Sequence, residues 1–290
     1  MEGAGRLERA LRSDRTIVVA GLLAVVVASW AELLREVSAM AAMGAAAAPG
    51  AMDGMATGDA AMPAGAAMSG MAMGDMAMAA GPAAASPGHA LAIGAMWAVM
   101  MAAMMLPSAS PMILFYTRIT GERGAGRSAA GATGVFVAGY LAVWAFFSVA
   151  AASLQIAFER YALISPSMRA TSAVLAGVVL VAAGLYQFTP AKRACLRHCR
   201  SPLEFVMLHW RPGTRGAFAM GVRHGGYCVG CCWLLMLLLF VGGVMNVAWI
   251  AGIALYVLVE KTVPAGHWVS RAAGIALIAW GVATLGAHLR

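Results

Sequence analysis

Seven long apolar stretches constrain the fold of this chain more than any other feature of its sequence. They cover residues 16–34, 89–116, 131–158, 171–188, 227–241, 244–259 and 269–286. Continuous apolar runs of about 18 residues or more are typical of transmembrane helices. Charged residues make up 11% of the chain, against about 25% in soluble domains. We therefore predict an all-α polytopic transmembrane helix bundle with about seven spans.

The first stretch allows two interpretations. Val37, Ser38 and Ala39 offer the small residues of a signal-peptide cleavage site, which would leave six spans. The charged Glu32 and Arg35 before that site favour an uncleaved span. Residues 38–88 consist almost wholly of Ala, Gly, Met, Pro, Ser and Asp, a composition that cannot build a packed core. The predicted organisation is a cytoplasmic N-terminus with the first span or signal anchor (1–37), a disordered Met-rich extracytoplasmic loop (38–88) and a six-span bundle (89–290).

Basic residues predict the orientation of this bundle, because Lys and Arg collect in cytoplasmic loops. With a cytoplasmic N-terminus, only Arg35, Arg160, Arg169 and Arg290 of the 20 Lys and Arg residues fall on the outer side. This orientation places the Met-rich loop outside and all cysteines at the cytoplasmic face, where a reducing cytosol keeps thiols free. Topology thus explains the net charge of +8, and nucleic acid is not an expected partner.

The five cysteines form two clusters at the two ends of a predicted basic loop, 191–223. Cys195 and Cys199 are spaced i, i+4, and Cys228, Cys231 and Cys232 open the fifth predicted span. Residues at i, i+3 and i+4 share one helix face, so the two clusters can meet as a metal site. Thiolates are soft ligands that select Cu(I) or zinc, and we expect Cu(I) ahead of zinc. The alternative is that the cysteines pack as small buried hydrophobes.

Three histidines accompany these thiols. His198 lies between Cys195 and Cys199, and His224 precedes the second cluster. Both are candidate ligands, whereas His209 is a weaker one. The alternative for each is a polar surface group.

Methionine is abundant in the second predicted span, where five Met fall within ten residues: Met96, Met100, Met101, Met104 and Met105. Met96, Met100 and Met104 form one helical stripe, and the other two form a neighbouring stripe. Such Met-x-x-x-Met pairs resemble the copper-relay motif of eukaryotic-type high-affinity copper transporters and of certain bacterial importers. The alternative is that these side chains fill irregular gaps in the core.

The predicted outer loop carries a second group of methionines, interspersed with Asp. Its candidate ligands are Met52, Met55, Met71, Met73, Met76 and Met78. The pattern is similar to extracytoplasmic Met-rich segments of bacterial copper-resistance proteins and copper transporters. Thioethers bind Cu(I) without losing a proton, which would suit an outer compartment. The alternative is a spacer without a ligand role.

The remaining polar residues favour structural roles. Gln155, Gln187 and Asn246 are expected to hydrogen-bond between helices, and Glu260 with Lys261 is interpreted as a self-neutralising pair at a membrane boundary. We find no nucleotide-binding loop, serine-hydrolase elbow or aspartyl-phosphate motif, so no catalytic or organic-cofactor residues are predicted. A P-type ATPase is excluded, and an enzyme is less favoured than a binding protein.

Residues 89–286 resemble a bacterial family of unknown function that is described as predicted metal-binding integral membrane proteins. The resembling residues are Met96-Trp97 through Pro107-Ser108, Pro111, Gly139-Tyr140, Trp144, Tyr186-Gln187, Thr189-Pro190, Lys192, Cys195-Leu196, Cys199-Arg200-Ser201-Pro202, Gly226, Cys228-Val229-Gly230-Cys231-Cys232-Trp233, Met236, Gly243-Val244-Met245-Asn246 and Glu260-Lys261. The C-x-G-C-C-W block is the most specific part. The resemblance implies a multi-span fold with a metal site, in the inner membrane of a bacterium, but no particular activity.

The leading functional prediction is Cu(I) handling, either as a transporter or as a metallochaperone. The outer methionines would collect the metal, the span-two methionines would relay it, and the cysteines would hold it. One alternative is a membrane redox enzyme or a copper-delivery factor for oxidase assembly. Another is a metal sensor or scaffold that does not transport. The expected partners are membrane lipid, the metal ion, and a copper chaperone or cuproenzyme.

Overall fold

The structure is a computed structural model that describes residues 2–46, 87–123, 129–161, 163 and 172–288. All regular secondary structure in these residues is helical. In chain order the helices are α1 (Glu2–Ala46), α2 (Pro87–Glu122), α3 (Ala129–Arg160), α4 (Ala173–Tyr186), α5 (Pro190–Arg200), α6 (Pro202–His209), α7 (Gly213–Leu237), α8 (Leu239–Gly242), α9 (Val247–Thr262) and α10 (Gly266–His288).

Five of the described helical segments are long and apolar enough to cross a membrane. They are Ser13–Ala39 within α1, then α2, α3, the segment Gly213–Gly242 and α10. A sixth arises if α4 and α5 count as one broken span. The all-α prediction is confirmed for the described residues, whereas the predicted count of seven exceeds these five or six. The 14 residues of α4 and the 16 of α9 reach about 21 and 24 Å at ~1.5 Å per residue, short of the ~30 Å hydrocarbon core.

Helix α2 continues through two prolines, although proline within a helix commonly kinks or ends it. Pro107 and Pro111 both lie inside the helix, which runs on to Glu122. Pro111 has no N–H to donate to the carbonyl of Pro107. The hydroxyl of Ser110 donates to that carbonyl instead, at 2.8 Å, so the polar group that the proline leaves unpaired is satisfied locally.

The chain bends by 65° between α4 and α5. Thr189 accepts a hydrogen bond from the backbone N–H of Lys192 at 3.2 Å, and Pro190 occupies the first turn of α5. A threonine cap followed by proline is a strong helix start. Segment 191–223, predicted as a basic loop, is therefore largely helical and includes α5, α6 and the beginning of α7. The prediction failed because its frequent Arg residues lower the hydropathy without opposing helix formation.

Helix α1 packs against α2 and α3 and also extends into the predicted loop. Its residues 38–46 are helical, as are Pro87 and Gly88 in α2, whereas 47–86 lies outside the described residues. Val18 and Leu33 of α1 are buried. The carboxylate of Asp14 accepts a hydrogen bond from the backbone N–H of Ala129 at 3.1 Å, so α1 satisfies a donor in the first turn of α3.

Helices α3 and α7 cross in close contact because glycine faces the opposite backbone. A Cβ atom on Gly221 would lie 2.0 Å from the carbonyl oxygen of Phe136, and one on Gly139 would lie 2.4 Å from the carbonyl oxygen of Phe218. Small residues permit such approaches between apolar helices. This crossing holds the face of α7 that carries the cysteines against Tyr140 of α3.

The crossing gives a test of the fold. Gly221→Ala should lower the thermal stability of the detergent-solubilised protein, because two backbones must separate at a cost of about 1–3 kcal/mol. Gly226→Ala is the matched control on the same helix, since a Cβ there meets nothing within 4 Å. It should keep or raise stability, because alanine favours a helix over glycine by up to ~1 kcal/mol. Equal melting temperatures for the two variants would contradict the crossing.

Candidate metal centre

The second cysteine cluster lies in the interior of α7. The sequence placed the helix start near residue 227, so that the thiols would open the span, but α7 begins at Gly213. That prediction is wrong because 213–226 mixes Gly and Arg with an apolar face that packs inward. Cys228, Cys231 and Cys232 all have 0% exposure, and they share one face of α7 as their spacing predicts.

Cys228 is the thiol with the most polar neighbours. The phenol oxygen of Tyr140 lies 3.1 Å from its sulfur, and the Nζ of Lys261 donates to the same sulfur at 3.0 Å. Lys261 also donates to the hydroxyl of Ser108 at 3.1 Å. A buried ammonium beside a sulfur favours the thiolate, which is the form that binds metal.

Helix α5 brings part of the first cysteine cluster to this face. Cys199 lies close to Cys228 and Cys231. Cys195 packs instead over Gly230, where an added Cβ would lie 2.7 Å from its sulfur. All five cysteines are free thiols. The structure therefore joins Cys199 to the α7 cluster and places Cys195 at its margin.

Two of the three α7 thiols donate hydrogen bonds to the backbone of their own helix. The sulfurs of Cys231 and Cys232 each donate to the carbonyl oxygen of Cys228 at 3.0 Å. Accordingly, within the described part of the chain no group of three or more His, Cys, Asp or Glu side chains has the geometry of a metal site. Rotation about χ1 would free both sulfurs from that carbonyl, and metal binding would release the thiol protons.

One methionine of α2 contacts the cysteine cluster. The sulfur of Met105 lies 4.0 Å from the sulfur of Cys232. The other candidates of α2 are also buried, with Met96 at 6% exposure and Met100, Met101 and Met104 at 1% or less. Their burial fits core packing as well as a ligand role. Met52, Met55, Met71, Met73, Met76 and Met78 lie outside the described residues.

The candidate histidines lie beside the thiols in aromatic surroundings. The ring of His224 lies 5.7 Å from that of Tyr140 and 5.4 Å from that of Phe205, and its Nδ1 has no hydrogen-bond partner among the described residues. The ring of His198 lies 4.3 Å from that of Tyr227. Neither imidazole makes a described hydrogen bond with a thiol.

Lys261 was missed by sequence reasoning, which paired it with Glu260. Glu260 instead forms an ion pair with Lys192 at 2.7 Å, in which both side chains are at most 1% exposed. The self-neutralising pair is therefore wrong, because consecutive residues on a helix point about 100° apart. A signal was present in the sequence. The buried stripe of Ile253 and Val257 continues to 260 and 261, which predicts that both charges are buried.

The three polar residues expected to link helices behave differently from one another. Gln155 accepts a hydrogen bond from the indole of Trp97 at 2.7 Å, joining α3 to α2. Gln187 accepts from Lys192 and, at 3.4 Å, from Tyr256 of α9. Asn246 instead caps α9, since its side chain accepts from the backbone of Trp249 at 3.2 Å.

Comparison with protein families gives one finding. Residues 94–284 match the family model PpoB2, which is described as copper chaperone. The chain belongs to this copper-chaperone family. The match contains all five cysteines and the Met residues of α2, and it begins after the Met-rich segment. The metal-binding family expected from the sequence is thus confirmed in a coarser form, as a copper-related family. Comparison with curated proteins and with solved structures gave no match.

Proposed function

We propose that this protein is a membrane copper chaperone that binds Cu(I) between α5, α7 and α2. The observation that carries the proposal is the proximity of four cysteine thiols and one thioether inside the bundle. Cys199 approaches Cys228 and Cys231 from α5, and Met105 approaches Cys232 from α2. Family membership supports copper as the metal.

The chemistry of this donor set favours the cuprous ion. Cysteine and methionine sulfurs are soft ligands, and Cu(I) accepts them at low coordination number, whereas zinc prefers four nitrogen or sulfur ligands in a tetrahedron. Cys199 and Cys228 would supply the first two thiolates. Cys231 or Cys232 would add a third after rotating away from the Cys228 carbonyl, and Met105 would supply a neutral sulfur.

Charge balance also supports a thiolate site for Cu(I). Cu(I) with the thiolates of Cys199 and Cys228 carries a net charge of −1, and a third thiolate makes it −2, which is costly in an apolar interior. The ammonium of Lys261 lies 3.0 Å from Cys228 and would offset one unit of that charge. Tyr140 would also hold the Cys228 sulfur through its phenol oxygen. These residues would orient and compensate the ligands rather than bind the metal.

The methionines of α2 and of the Met-rich segment would supply metal to this site. In the orientation predicted from the basic residues, the Met-rich segment is extracytoplasmic and the thiols lie nearer the cytoplasm. The helix α2 would then carry Cu(I) from Met96 toward Met105. Delivery would end at a partner that offers stronger ligands, either another copper chaperone or a cuproenzyme.

The direct test is the metal content of the purified full chain. The protein is loaded with Cu(I) under reducing conditions in detergent, and copper and zinc are measured after removal of excess metal. The wild type should retain stoichiometric copper, and a variant with all five cysteines changed to serine should retain little. Met207→Leu is the control, because Met207 is 73% exposed and lies outside the site. Equal, negligible copper and zinc in wild type and the cysteine variant would refute the proposal.

A further inference from the structure

A cavity lies apart from the proposed copper ligands, where the end of α4, helix α5 and the start of α10 meet. Its volume is about 570 Å³, within the ~300–1,000 Å³ typical of small-molecule sites. Its lining includes four arginines, namely Arg193, Arg197 and Arg200 from α5 and Arg271 from α10, and no acidic residue of the described chain. We call it the basic cavity.

The positive charge of the basic cavity is little compensated by neighbouring carboxylates. Glu260, a buried acid that accepts a hydrogen bond from the cavity residue Ser270, is paired with Lys192 at 2.7 Å. Glu204 lies 3.7 Å from Arg197, but both side chains are exposed, and such pairs contribute little. The preference of Arg for cytoplasmic loops explains an excess of arginines on that face, but it does not require them to line a cavity. Here arginines about 70 residues apart in sequence surround one concave space.

Arg200 is held in position by the fold. Its Nη2 donates to the carbonyl oxygens of Val263 and Pro264 at 2.5 and 2.8 Å. A Cβ on Gly266 would lie 2.7 Å from its Nη1, so the guanidinium lies against the first turn of α10. The N-terminal turn of that 23-residue helix adds positive potential at the same place.

A buried donor at the cavity lacks a partner. Gln187 lines the cavity and is 2% exposed. Its Oε1 accepts from Lys192, whereas its Nε2 has no hydrogen-bond partner among the described residues. Leaving such a donor unsatisfied costs about 1–3 kcal/mol. Rotation of the Gln187 side chain would turn this donor toward the cavity, where an acceptor oxygen from a bound anion would remove that cost.

We propose that the basic cavity binds a phosphate group, carried either by an anionic phospholipid or by inorganic phosphate. Guanidinium groups match phosphate oxygens with paired, charge-assisted hydrogen bonds. Phe188 and Leu196 add apolar surface beside the arginines, which suits the glycerol end of a lipid headgroup. The site is independent of copper, since none of the proposed copper ligands lines it.

The test compares binding of three probes to the full chain in detergent. Phosphatidylglycerol and phosphatidylcholine retained by the protein are counted by native mass spectrometry, and radiolabelled inorganic phosphate is measured by equilibrium dialysis. The cavity variant is Arg193→Gln with Arg271→Gln. The matched control is Arg215→Gln with Arg223→Gln, which removes the same charge from exposed positions on α7 outside the cavity.

Wild type and control should retain phosphatidylglycerol in preference to phosphatidylcholine, and the cavity variant should bind it at least about tenfold more weakly. Loss of phosphatidylglycerol alone would identify a lipid headgroup as the source of the phosphate. Parallel loss of inorganic phosphate binding would identify the free anion. Equal binding of the two lipids with no phosphate bound, or equal losses in cavity variant and control, would overturn the proposal.

Discussion

Cys228→Ser should abolish tight Cu(I) binding, whereas Cys195→Ser should leave most of it. Cys228 is the thiol that Cys199 approaches from α5 and to which Lys261 donates at 3.0 Å. The substitution removes a proposed ligand and also the sulfur to which the Lys261 ammonium donates. We expect the Cu(I) affinity to fall by more than about 100-fold, since loss of outer partners alone costs ~10–100-fold.

The measurement is competition for Cu(I) against a chromophoric chelator, with both variants purified in the same detergent. Cys195→Ser is the matched control because its sulfur packs over Gly230 at the margin of the cluster. Far-UV circular dichroism should be the same for the two variants. An equal loss of affinity in both would mean that the site is built around α5 rather than around Cys228, and would contradict the proposed geometry.

Glu260→Gln should strongly destabilise the protein, because it leaves the buried Lys192 without a counter-ion. Both side chains are at most 1% exposed and lie 2.7 Å apart. Breaking a buried ion pair from one side typically costs about 3–5 kcal/mol. The free energy of unfolding, measured by SDS titration in mixed micelles with tryptophan fluorescence, should fall by an amount in that range.

The double variant Lys192→Met with Glu260→Gln should recover much of this loss. It removes both charges, and the amide oxygen introduced at position 260 can still accept from Tyr256 and Ser270, which contact Glu260 at 3.1 and 2.5 Å. Glu122→Gln breaks the exposed Arg118 pair and should change stability by less than about 1 kcal/mol. Lys192→Met is measured alone for comparison. If the loss of unfolding free energy in the double variant equalled the sum of the losses in Glu260→Gln and Lys192→Met, the two side chains would not be coupled.

Hydropathy and spacing were sufficient to predict the helical bundle and the shared face of Cys228, Cys231 and Cys232. Both depend on local periodicity, which a sequence displays directly. The sequence predicted that the two cysteine clusters can meet, and the approach of Cys199 depends on the 65° bend at Thr189-Pro190. Threonine and proline mark such a bend in a sequence, but they do not give its direction.

Hydropathy could not reveal where the helices around the site begin or which charges they bury. The first turns of α7 contain Arg215 and Arg223 on an exposed side, so averaged hydropathy places them in a loop. Lys261 and Glu260 are adjacent in sequence, yet their partners, Cys228 and Lys192, lie on different helices. Such pairings depend on tertiary contacts that hydropathy does not contain.

The hydrogen bond from Ala129 to Asp14 links the N-terminal helix to the proposed copper site. Helix α1 lies outside the family match, which begins at residue 94, yet it satisfies the first turn of α3. Three turns further along, α3 presents Tyr140 to Cys228. A bundle that lost α1 would leave that first turn to fray. Helix α1, which lies outside the family match, thus stabilises the beginning of the helix that carries Tyr140.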